Sequence, residues 1–358
     1  MTQFYPLTVR DVRKETPECV SVAFEIPLHL QQIFSFEAGQ NVTLRTTLNN
    51  EELRRSYSIC SSPHDNELRI AVKHLAGGKF SSHANLLLKQ GDVVEVLPPS
   101  GRFVNTPDPG RAANYLAFAA GSGITPVISI MKHTLATEPL SSFTLVYGNR
   151  SRTSVIFKEQ LEALKNRYID RVSIHHILSR EVTDSPVNSG KINTEKCEQL
   201  SKGVIRVDEM DHIFVCGPEQ MIFSIRDWLK LKGVPKHKIH FELFTVPGER
   251  SIVQHTQQAI KQASSTVKLK LDGVVITYQL PFEGSSILDG ALKLGADLPY
   301  ACKGGVCATC RAKLVKGEVE MDTNYALEED ELAAGYILTC QSHPRTEEVE
   351  IDFDDHRT

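Results

Sequence analysis

The sequence predicts a multidomain protein: an antiparallel β-barrel, then an α/β domain with a parallel sheet, then a small mixed α/β module. Two changes of pattern along the 358 residues lead to this prediction. Short segments of alternating polarity give way to repeats of strand, glycine turn and helix, and these end before a loop with three closely spaced cysteines. A chain of this length is long enough for two or three domains with separate cores.

Residues 1–110 are predicted to form the barrel, because segments such as 41–45 alternate between apolar and polar side chains as half-buried strands do. Residues 111–246 are predicted to form the α/β domain. Its apolar strands at 115–120 and 212–216 each run into a glycine and then into a helix-like stretch, the pattern of a parallel sheet with crossover helices.

The polar, Gln-rich stretch 247–265 is predicted to be a linker, and residues 266–358 the third domain. Residues 265–358 contain 9 Lys or Arg and 17 Asp or Glu, a net charge of -8, which leaves +4 for residues 1–264. Such opposite charges favour docking between the domains or steer an outside partner, although a solvated surface also explains them.

The composition excludes several classes of protein. Hydrophobic residues make up 41% of the chain and charged residues 23%, values typical of a soluble globular protein. We find no apolar run of membrane-spanning length, no signal peptide at 1–16 and no strongly basic stripe for nucleic acid. Because four further cysteines are scattered along a chain without a secretion signal, we predict a reducing, cytoplasmic location with no membrane or nucleic-acid partner.

Four cysteines form the strongest motif. Cys302, Cys307 and Cys310 lie in one loop, and Cys340 follows thirty residues later, which is the plant-type [2Fe–2S] spacing. Two glycines in the loop let backbone amides approach the cluster sulfurs. A zinc site is the alternative, but zinc sites usually take their cysteines two by two. We therefore predict that these four cysteines are cluster ligands.

The end of one barrel strand carries groups that suit a nucleotide cofactor. Arg55 offers a cation for a pyrophosphate, Tyr57 an aromatic face for a ring and Ser58 a hydroxyl for a ring nitrogen. Downstream, residues 77–82 resemble a phosphate-cradling turn that opens a helix. Either segment alone fits an ordinary strand end or loop, and each gains weight from the other. The candidate phosphate-binding residues in the turn are Gly78, Ser81 and Ser82.

Two glycine turns follow strands of the α/β domain. The first contains Gly121, Gly123 and Thr125, and the second begins with Cys216 and Gly217. Because open α/β sheets bind ligands at the carboxyl ends of their strands, the two turns together indicate a dinucleotide site. The first turn lacks the third glycine of the dinucleotide fingerprint, so a plain strand–helix turn stays an alternative. Cys216 alone is also compatible with a small buried apolar residue.

Ser179 and Arg180 end another strand, and Arg150 and Arg152 follow a further one. A hydroxyl and an arginine guanidinium suit the additional 2′-phosphate of NADPH. Arginines on a protein surface are common, so the alternative is a row of solvated side chains.

In this order, the motifs are similar to those of the ferredoxin–NADP reductase family with a C-terminal plant-type ferredoxin domain, over nearly the whole chain. The resemblance implies an FAD-binding barrel, an NAD(P)-binding α/β domain and a β-grasp-like ferredoxin domain. It also implies residue roles: Arg55 at the FAD pyrophosphate, Tyr57 at the flavin ring, Ser58 near its N5, Ser81 and Ser82 near the FAD phosphates, Thr125 at the pyridine nucleotide and Cys216 beside the nicotinamide. Ser58 and Cys216 are thus the candidate catalytic residues, and Lys73 is a further candidate for cofactor binding.

The domain order also resembles that of reductase components of multicomponent oxygenases. Residues 176–181, 241–244 and 299–310 are most like those serving phenylacetyl-CoA epoxidases, and similar stretches occur in steroid 9α-hydroxylase reductases. The resemblance implies that electrons pass from NADPH through FAD, the two-to-one converter, and the [2Fe–2S] cluster to an oxygenase, first of all the di-iron phenylacetyl-CoA epoxidase. Reductases of another oxygenase or of a hybrid-cluster protein, and a redox sensor, are the alternatives.

Overall fold

The computed structural model describes residues 3–244 and 264–355, which fall into two compact units, Gln3–Phe244 and the described C-terminal residues. The predicted linker at 247–265 lies outside the described residues except for its last two, which begin a strand. Within the two described ranges, no helix has the length and apolar character needed to cross a membrane.

The first part of the larger unit is a six-stranded sheet in which all paired strands are antiparallel. Its elements are β1 (Tyr5–Thr16), β2 (Cys19–Glu25), β3 (Asn41–Leu48), β4 (Glu51–Ser58), β5 (Leu68–Lys73), the helix α1 (Lys79–Leu86) and β6 (Val93–Val96). The strand order is β4-β3-β6-β1-β2-β5. An antiparallel bridge between Ile59 and Ile70 connects the two ends of the sheet, which therefore closes into a barrel around an apolar core.

The second part of this unit is a five-stranded parallel sheet with the order β11-β10-β7-β8-β9. Its elements are β7 (Asn114–Ala120), α2 (Ile124–Thr137), β8 (Ser142–Asn149), α3 (Lys158–Arg167), β9 (Val172–Leu178), α4 (Thr194–Ser201), β10 (His212–Gly217), α5 (Glu219–Leu231) and β11 (Ile239–Leu243). The chain proceeds from β7 toward one edge and later returns to the other side of β7 with β10. The gap between the carboxyl ends of β7 and β10 is therefore the switch point at which such sheets bind ligands.

The barrel and the parallel sheet contact each other within this unit. The Ser129 hydroxyl of α2 donates a hydrogen bond of 2.6 Å to the Ser61 carbonyl, which follows β4. Phe103 packs edge-to-face against Phe214 of β10, with ring centroids 5.4 Å apart. These contacts place the end of β4 beside the carboxyl edge of the parallel sheet.

The smaller unit is a mixed α/β module with its own core. Its elements are β12 (Ser264–Leu271), β13 (Val274–Pro281), α6 (Ile287–Lys293), β14 (Arg311–Lys316), β15 (Val319–Met321), α7 (Glu329–Ala333), β16 (Tyr336–Leu338), β17 (Ser342–Pro344) and β18 (Glu348–Asp352). The main sheet has the order β13-β12-β18-β14-β16, with β12 and β18 parallel, and β15 pairs with β17. Ser286 caps α6 by accepting the Asp289 N–H at 3.2 Å, and Ile287 and Leu288 are fully buried against the sheet.

Candidate functional site

The last residues of β4 place a cation and an aromatic ring on the same face of the strand. Arg55 and Tyr57 are two residues apart, so their side chains lie on one side of the sheet. The Arg55 guanidinium donates to the Arg54 carbonyl at 2.7 Å. The Tyr57 ring packs against Phe80 of α1, with centroids 5.5 Å apart, and burial raises the pKa of its hydroxyl. The phenol therefore stays neutral beside the arginine.

Ser58, the last residue of β4, contacts the parallel sheet through a carboxylate. Its hydroxyl donates a hydrogen bond of 2.9 Å to Oε2 of Glu242 on β11. The Cys216 sulfur of β10 lies 4.0 Å from the same oxygen, because Cys216 and Glu242 are register partners in the two parallel strands. The two predicted catalytic residues, Ser58 and Cys216, thus meet at one carboxyl group.

Glu242 is the residue that the sequence alone did not reveal. Its side chain is partly exposed, yet the surrounding protein raises the pKa of its carboxyl to about 7 by desolvation, and the hydrogen bond from Ser58 opposes this shift. Burial and the nearby Glu242 also raise the pKa of the Cys216 thiol, which is therefore neutral. A carboxyl with a pKa near 7 can gain or lose a proton at physiological pH.

The turn before α1 is held together by the hydroxyl of Ser81. This oxygen accepts the Leu75 N–H at 3.2 Å and donates to the Gly78 carbonyl at 3.1 Å. Ser82 instead lies 3.2 Å from the His74 ring nitrogen Nε2. The turn predicted at residues 77–82 is therefore present at the start of α1, where the Ser81 hydroxyl closes it, and its binding of phosphate stays a prediction.

The two glycine turns pack against each other at the switch point of the parallel sheet. Gly121 has a φ of +53°, a conformation that favours glycine. A Cβ atom on Gly123 would lie 2.2 Å from the Cys216 carbonyl oxygen, so only glycine fits there. Gly217 ends β10 beside this contact. The Thr125 hydroxyl donates to the Ser122 carbonyl at 2.9 Å and stabilises the first turn.

Lys73, at the end of barrel strand β5, extends to the first glycine turn. Its ammonium nitrogen lies 3.5 Å from the position that a Cβ atom on Gly121 would take. Burial and the charge of Arg150 lower the pKa of Lys73. Within the described residues this ammonium forms no hydrogen bond or ion pair, so Lys73 and Arg150 place two positive charges near this edge of the sheet.

The predicted 2′-phosphate residues lie on two adjacent segments beyond β8 and β9. The Ser179 N–H donates to the Asn149 carbonyl and the Arg180 N–H to the Arg150 carbonyl, both at 2.9 Å. Arg150 and Arg180 are exposed, whereas Arg152 forms an ion pair of 3.6 Å with Glu181. The structure therefore brings the predicted serine and arginines together and adds an acidic residue among them.

The four cysteine thiols of the smaller unit form two pairs. Cys302 interacts with Cys307, and Cys310 interacts with Cys340. The neighbouring Cys307 thiol, together with N–H donors of the loop such as Gly304 at 3.2 Å, lowers the pKa of Cys302.

This arrangement fits a two-iron cluster. A [2Fe–2S] cluster needs two cysteine thiolates on each of two irons, and amide donors directed at sulfur stabilise the thiolate form. One tetrahedral zinc ion would instead require all four sulfurs around one point.

Comparisons with known proteins match three separate ranges of the chain to known domain families. Three family models match: an oxidoreductase FAD-binding domain over residues 6–105, an oxidoreductase NAD-binding domain over 118–227 and a 2Fe-2S iron-sulfur cluster binding domain over 269–345. One component of the 1,2-phenylacetyl-CoA epoxidase of Escherichia coli strain K12 is 45% identical over 99% of both chains. The chain belongs to the ferredoxin reductase-type oxidoreductases with a C-terminal [2Fe–2S] domain.

Other members of this reductase family are similar over the same length. The ferredoxin reductase component of the 3-ketosteroid-9-alpha-monooxygenase of Rhodococcus rhodochrous is 34% identical over 97% of this chain and 96% of its own. The solved structure of phthalate dioxygenase reductase, described as modular for electron transfer from pyridine nucleotides to [2Fe–2S], is 26% identical, covers 98% of both chains and has a TM-score of 0.59. The protein is an NAD(P)H-dependent oxidoreductase that uses FAD and a [2Fe–2S] cluster.

Proposed function

We propose that this reductase takes electrons from NADPH and delivers them to an oxygenase component, specifically a di-iron phenylacetyl-CoA epoxidase, in the cytoplasm. The observation that carries this proposal is the 45% identity with a component of the Escherichia coli 1,2-phenylacetyl-CoA epoxidase, which extends over 99% of both chains. When bound, FAD supplies the chemistry that accepts a hydride and releases single electrons, and the [2Fe–2S] cluster carries them one at a time.

The barrel would hold FAD through the end of β4 and the start of α1. In this proposal Arg55 pairs with the pyrophosphate, Tyr57 packs against the ring system and Ser58 lies at the reactive edge. The N–H groups around Gly78 and the hydroxyl of Ser82 bind phosphate oxygens, while Ser81 keeps the turn closed through its two hydrogen bonds.

Ser58, Glu242 and Cys216 would form the reactive centre between the two cofactors. Passing a hydride on as two single electrons would release one proton at this centre. The hydrogen bond of 2.9 Å from Ser58 to Glu242 gives that proton a route from the Ser58 hydroxyl to a carboxyl whose pKa is about 7. The neutral Cys216 thiol fills the space beside the carboxyl.

The nucleotide would bind at the carboxyl edge of the parallel sheet. We assign the pyrophosphate to the turn at Gly121, Gly123 and Thr125 together with the ammonium of Lys73, and the nicotinamide to the side of Gly217. The 2′-phosphate of NADPH is assigned to Ser179 and Arg180, which are adjacent to exposed Arg150.

Reconstitution tests the proposed partner. The purified reductase is combined with the oxygenase component of a phenylacetyl-CoA epoxidase, and NADPH oxidation is followed with and without phenylacetyl-CoA. We expect oxidation that depends on both the oxygenase and its substrate. The matched control is the oxygenase component of a 3-ketosteroid 9α-monooxygenase with its steroid, because its reductase is 34% identical to this chain. Equal or faster coupling to the steroid system would overturn the assignment to the epoxidase.

A further inference from the structure

We propose that Glu181 is a specificity-determining residue, which reduces the preference of this reductase for NADPH over NADH by engaging Arg152 at the 2′-phosphate subsite. This inference rests on the proposed NADPH site. Glu181 follows Arg180 in the sequence. Its carboxylate contributes a negative charge at the place where the proposed ligand carries its negative 2′-phosphate.

Three short segments meet at this place. Residues 149–152 and 179–181 run side by side and share two backbone hydrogen bonds of 2.9 Å. The Gly190 N–H donates to the Leu178 carbonyl at 2.9 Å, which brings the following Lys191 to the same end of the sheet. Four cations therefore lie on these segments: Arg150, Arg152, Arg180 and Lys191.

Glu181 contacts Arg152 twice. Its Oε1 atom accepts a hydrogen bond of 3.0 Å from the backbone N–H of Arg152. Its Oε2 atom lies 3.6 Å from the Nε atom of the Arg152 guanidinium. Among the described residues, neither Arg150 nor Arg180 has an acidic partner. One of the three arginines is therefore neutralised within the protein before a ligand arrives, while the other two are available to it.

The charge of the ligand decides what this pair does. The 2′-phosphate is the only group that distinguishes NADPH from NADH, and it is doubly or nearly doubly negative. An arginine beside it strengthens binding through charge-assisted hydrogen bonds, whereas a carboxylate beside it repels it. Glu181 weakens binding of the phosphate in two ways: it pairs with Arg152, which is then less available to the phosphate, and its own negative charge repels the phosphate. NADH lacks the phosphate and is unaffected.

The pair is exposed enough to be altered without harm to the fold. The Arg152 side chain is 67% exposed and that of Glu181 31%. Ion pairs of this kind contribute little to stability. The substitution Glu181→Gln keeps an oxygen that accepts the Arg152 N–H but removes the charge, so it separates the electrostatic effect from the shape of the loop.

Two further variants serve as matched controls. Asp184→Asn removes a negative charge from the same loop, but Asp184 is exposed and makes no contact with Arg152. Glu209→Gln removes the carboxylate of an exposed ion pair with Arg206, near the start of β7 and away from the carboxyl edge of the sheet. Both are expected to bind nucleotides like the wild type.

Calorimetric titration of the FAD- and cluster-loaded full-length protein with 2′,5′-ADP and 5′-AMP tests the inference without turnover, since neither ligand carries a nicotinamide. We expect Glu181→Gln to bind 2′,5′-ADP about threefold to tenfold more tightly than the wild type and 5′-AMP equally well. The double variant Glu181→Gln with Arg152→Ala should lose that gain. In turnover, the KM for NADPH should fall in Glu181→Gln, with kcat and the KM for NADH unchanged.

Unchanged or weaker binding of 2′,5′-ADP by Glu181→Gln, or an equal gain in Asp184→Asn, would overturn the role of Glu181. If the wild type prefers 2′,5′-ADP over 5′-AMP in that case, the proposed NADPH site stands. If neither the wild type nor Glu181→Gln distinguishes the two ligands, the 2′-phosphate subsite itself is wrong, and the inference fails with it.

Discussion

Glu242 is a titratable group with a displaced pKa at the point where the two halves of the larger unit meet. The raised pKa, about 7, has a defined consequence for stability. Between the ordinary glutamate pKa near 4.5 and this value, the folded protein holds a proton that the unfolded chain has already released. The free energy of unfolding therefore falls as pH rises through this window, and the loss persists above pH 7.

Glu242→Gln should remove this pH dependence. The gain in unfolding free energy of the variant over the wild type should be about 1 to 2 kcal/mol larger at pH 8 than at pH 5, less than the full shift implies because Glu242 is partly exposed. Denaturant unfolding of flavin-free protein, followed by Trp228 fluorescence, gives the values. Trp228 is the single tryptophan and is buried in this unit.

Ser58→Ala should shift the pKa of Glu242 further upward, and it therefore complements Glu242→Gln. It removes the hydrogen bond that favours the ionised carboxylate, so the pKa of Glu242 should rise and the window of falling stability should extend to higher pH. If the wild type and Glu242→Gln instead have parallel pH profiles, Glu242 does not carry the displaced pKa.

Single residues differ in how far the sequence alone revealed them. The four candidate cluster cysteines stand out in the sequence because a cluster requires thiolates at a fixed spacing, and three of the four are local in sequence. Glu242 was not predictable from its own surroundings. Its partner Ser58 lies 184 residues away, and the contact arises only when β4 reaches the carboxyl edge of the parallel sheet. The same holds for Glu181, whose contact with Arg152 joins two different strand ends.

At the scale of elements, the two glycine turns depend on each other. The first turn could not be distinguished from a plain strand–helix turn by sequence, since it lacks the third fingerprint glycine. The structure gives a steric reason for the glycine at position 123. Gly123 lies against the backbone of Cys216, and a Cβ atom there would come within 2.2 Å of the Cys216 carbonyl oxygen. The strand order places β7 next to β10 and produces this contact.

Gly123→Ala should separate the two turns. We expect a loss of about 2 to 4 kcal/mol in the free energy of unfolding, because the new methyl group would clash with backbone atoms, which cannot move aside as a flexible side chain can. We also expect weaker nucleotide binding. Gly203→Ala is the matched control, since a Cβ atom there would meet nothing within 4 Å, and its effect should stay within about 0.5 kcal/mol. Thermal or denaturant unfolding compares them, and equal stabilities would contradict the close packing of the turns.

The strands of the parallel sheet differ in how readily the sequence revealed them. The apolar strand β7 was predicted because it is buried on both faces. β11 was not predicted, although its five residues alternate strictly between apolar and polar side chains, because so short a stretch is a weak signal on its own. β11 carries Glu242. A polar residue within this short alternating stretch was the only local sequence signal that could have pointed to that side chain.

At the scale of the whole molecule, the described residues form two units with separate cores. The core of the smaller unit, which includes Val267, Leu288 and Val349, is drawn from its own residues alone. The domain order was predictable from changes in pattern, whereas the predicted limits at 110, 246 and 265 stay predictions, since a boundary depends on contacts that composition does not report.

A chain that ends at Phe244 should fold without the smaller unit. It should retain FAD, oxidise NADPH with ferricyanide as acceptor and unfold at a temperature within a few degrees of the same transition in the full chain. It should lack the absorbance of the cluster and fail to reduce an oxygenase component. Absorbance spectra, steady-state assays and calorimetry measure these properties. Failure of the shortened chain to fold or bind FAD would show that its core depends on the remainder.

Anaerobic stopped-flow absorbance of the wild type and Cys307→Ser after mixing with NADPH tests whether electrons pass from the flavin to the cluster. We expect the flavin bands of the wild type to bleach first and the cluster bands to follow. In Cys307→Ser the first phase should keep its rate while the second disappears, because the substitution removes a proposed cluster ligand and leaves the larger unit intact. Cluster reduction that precedes flavin bleaching, or loss of both phases in the variant, would contradict a relay through two separate sites.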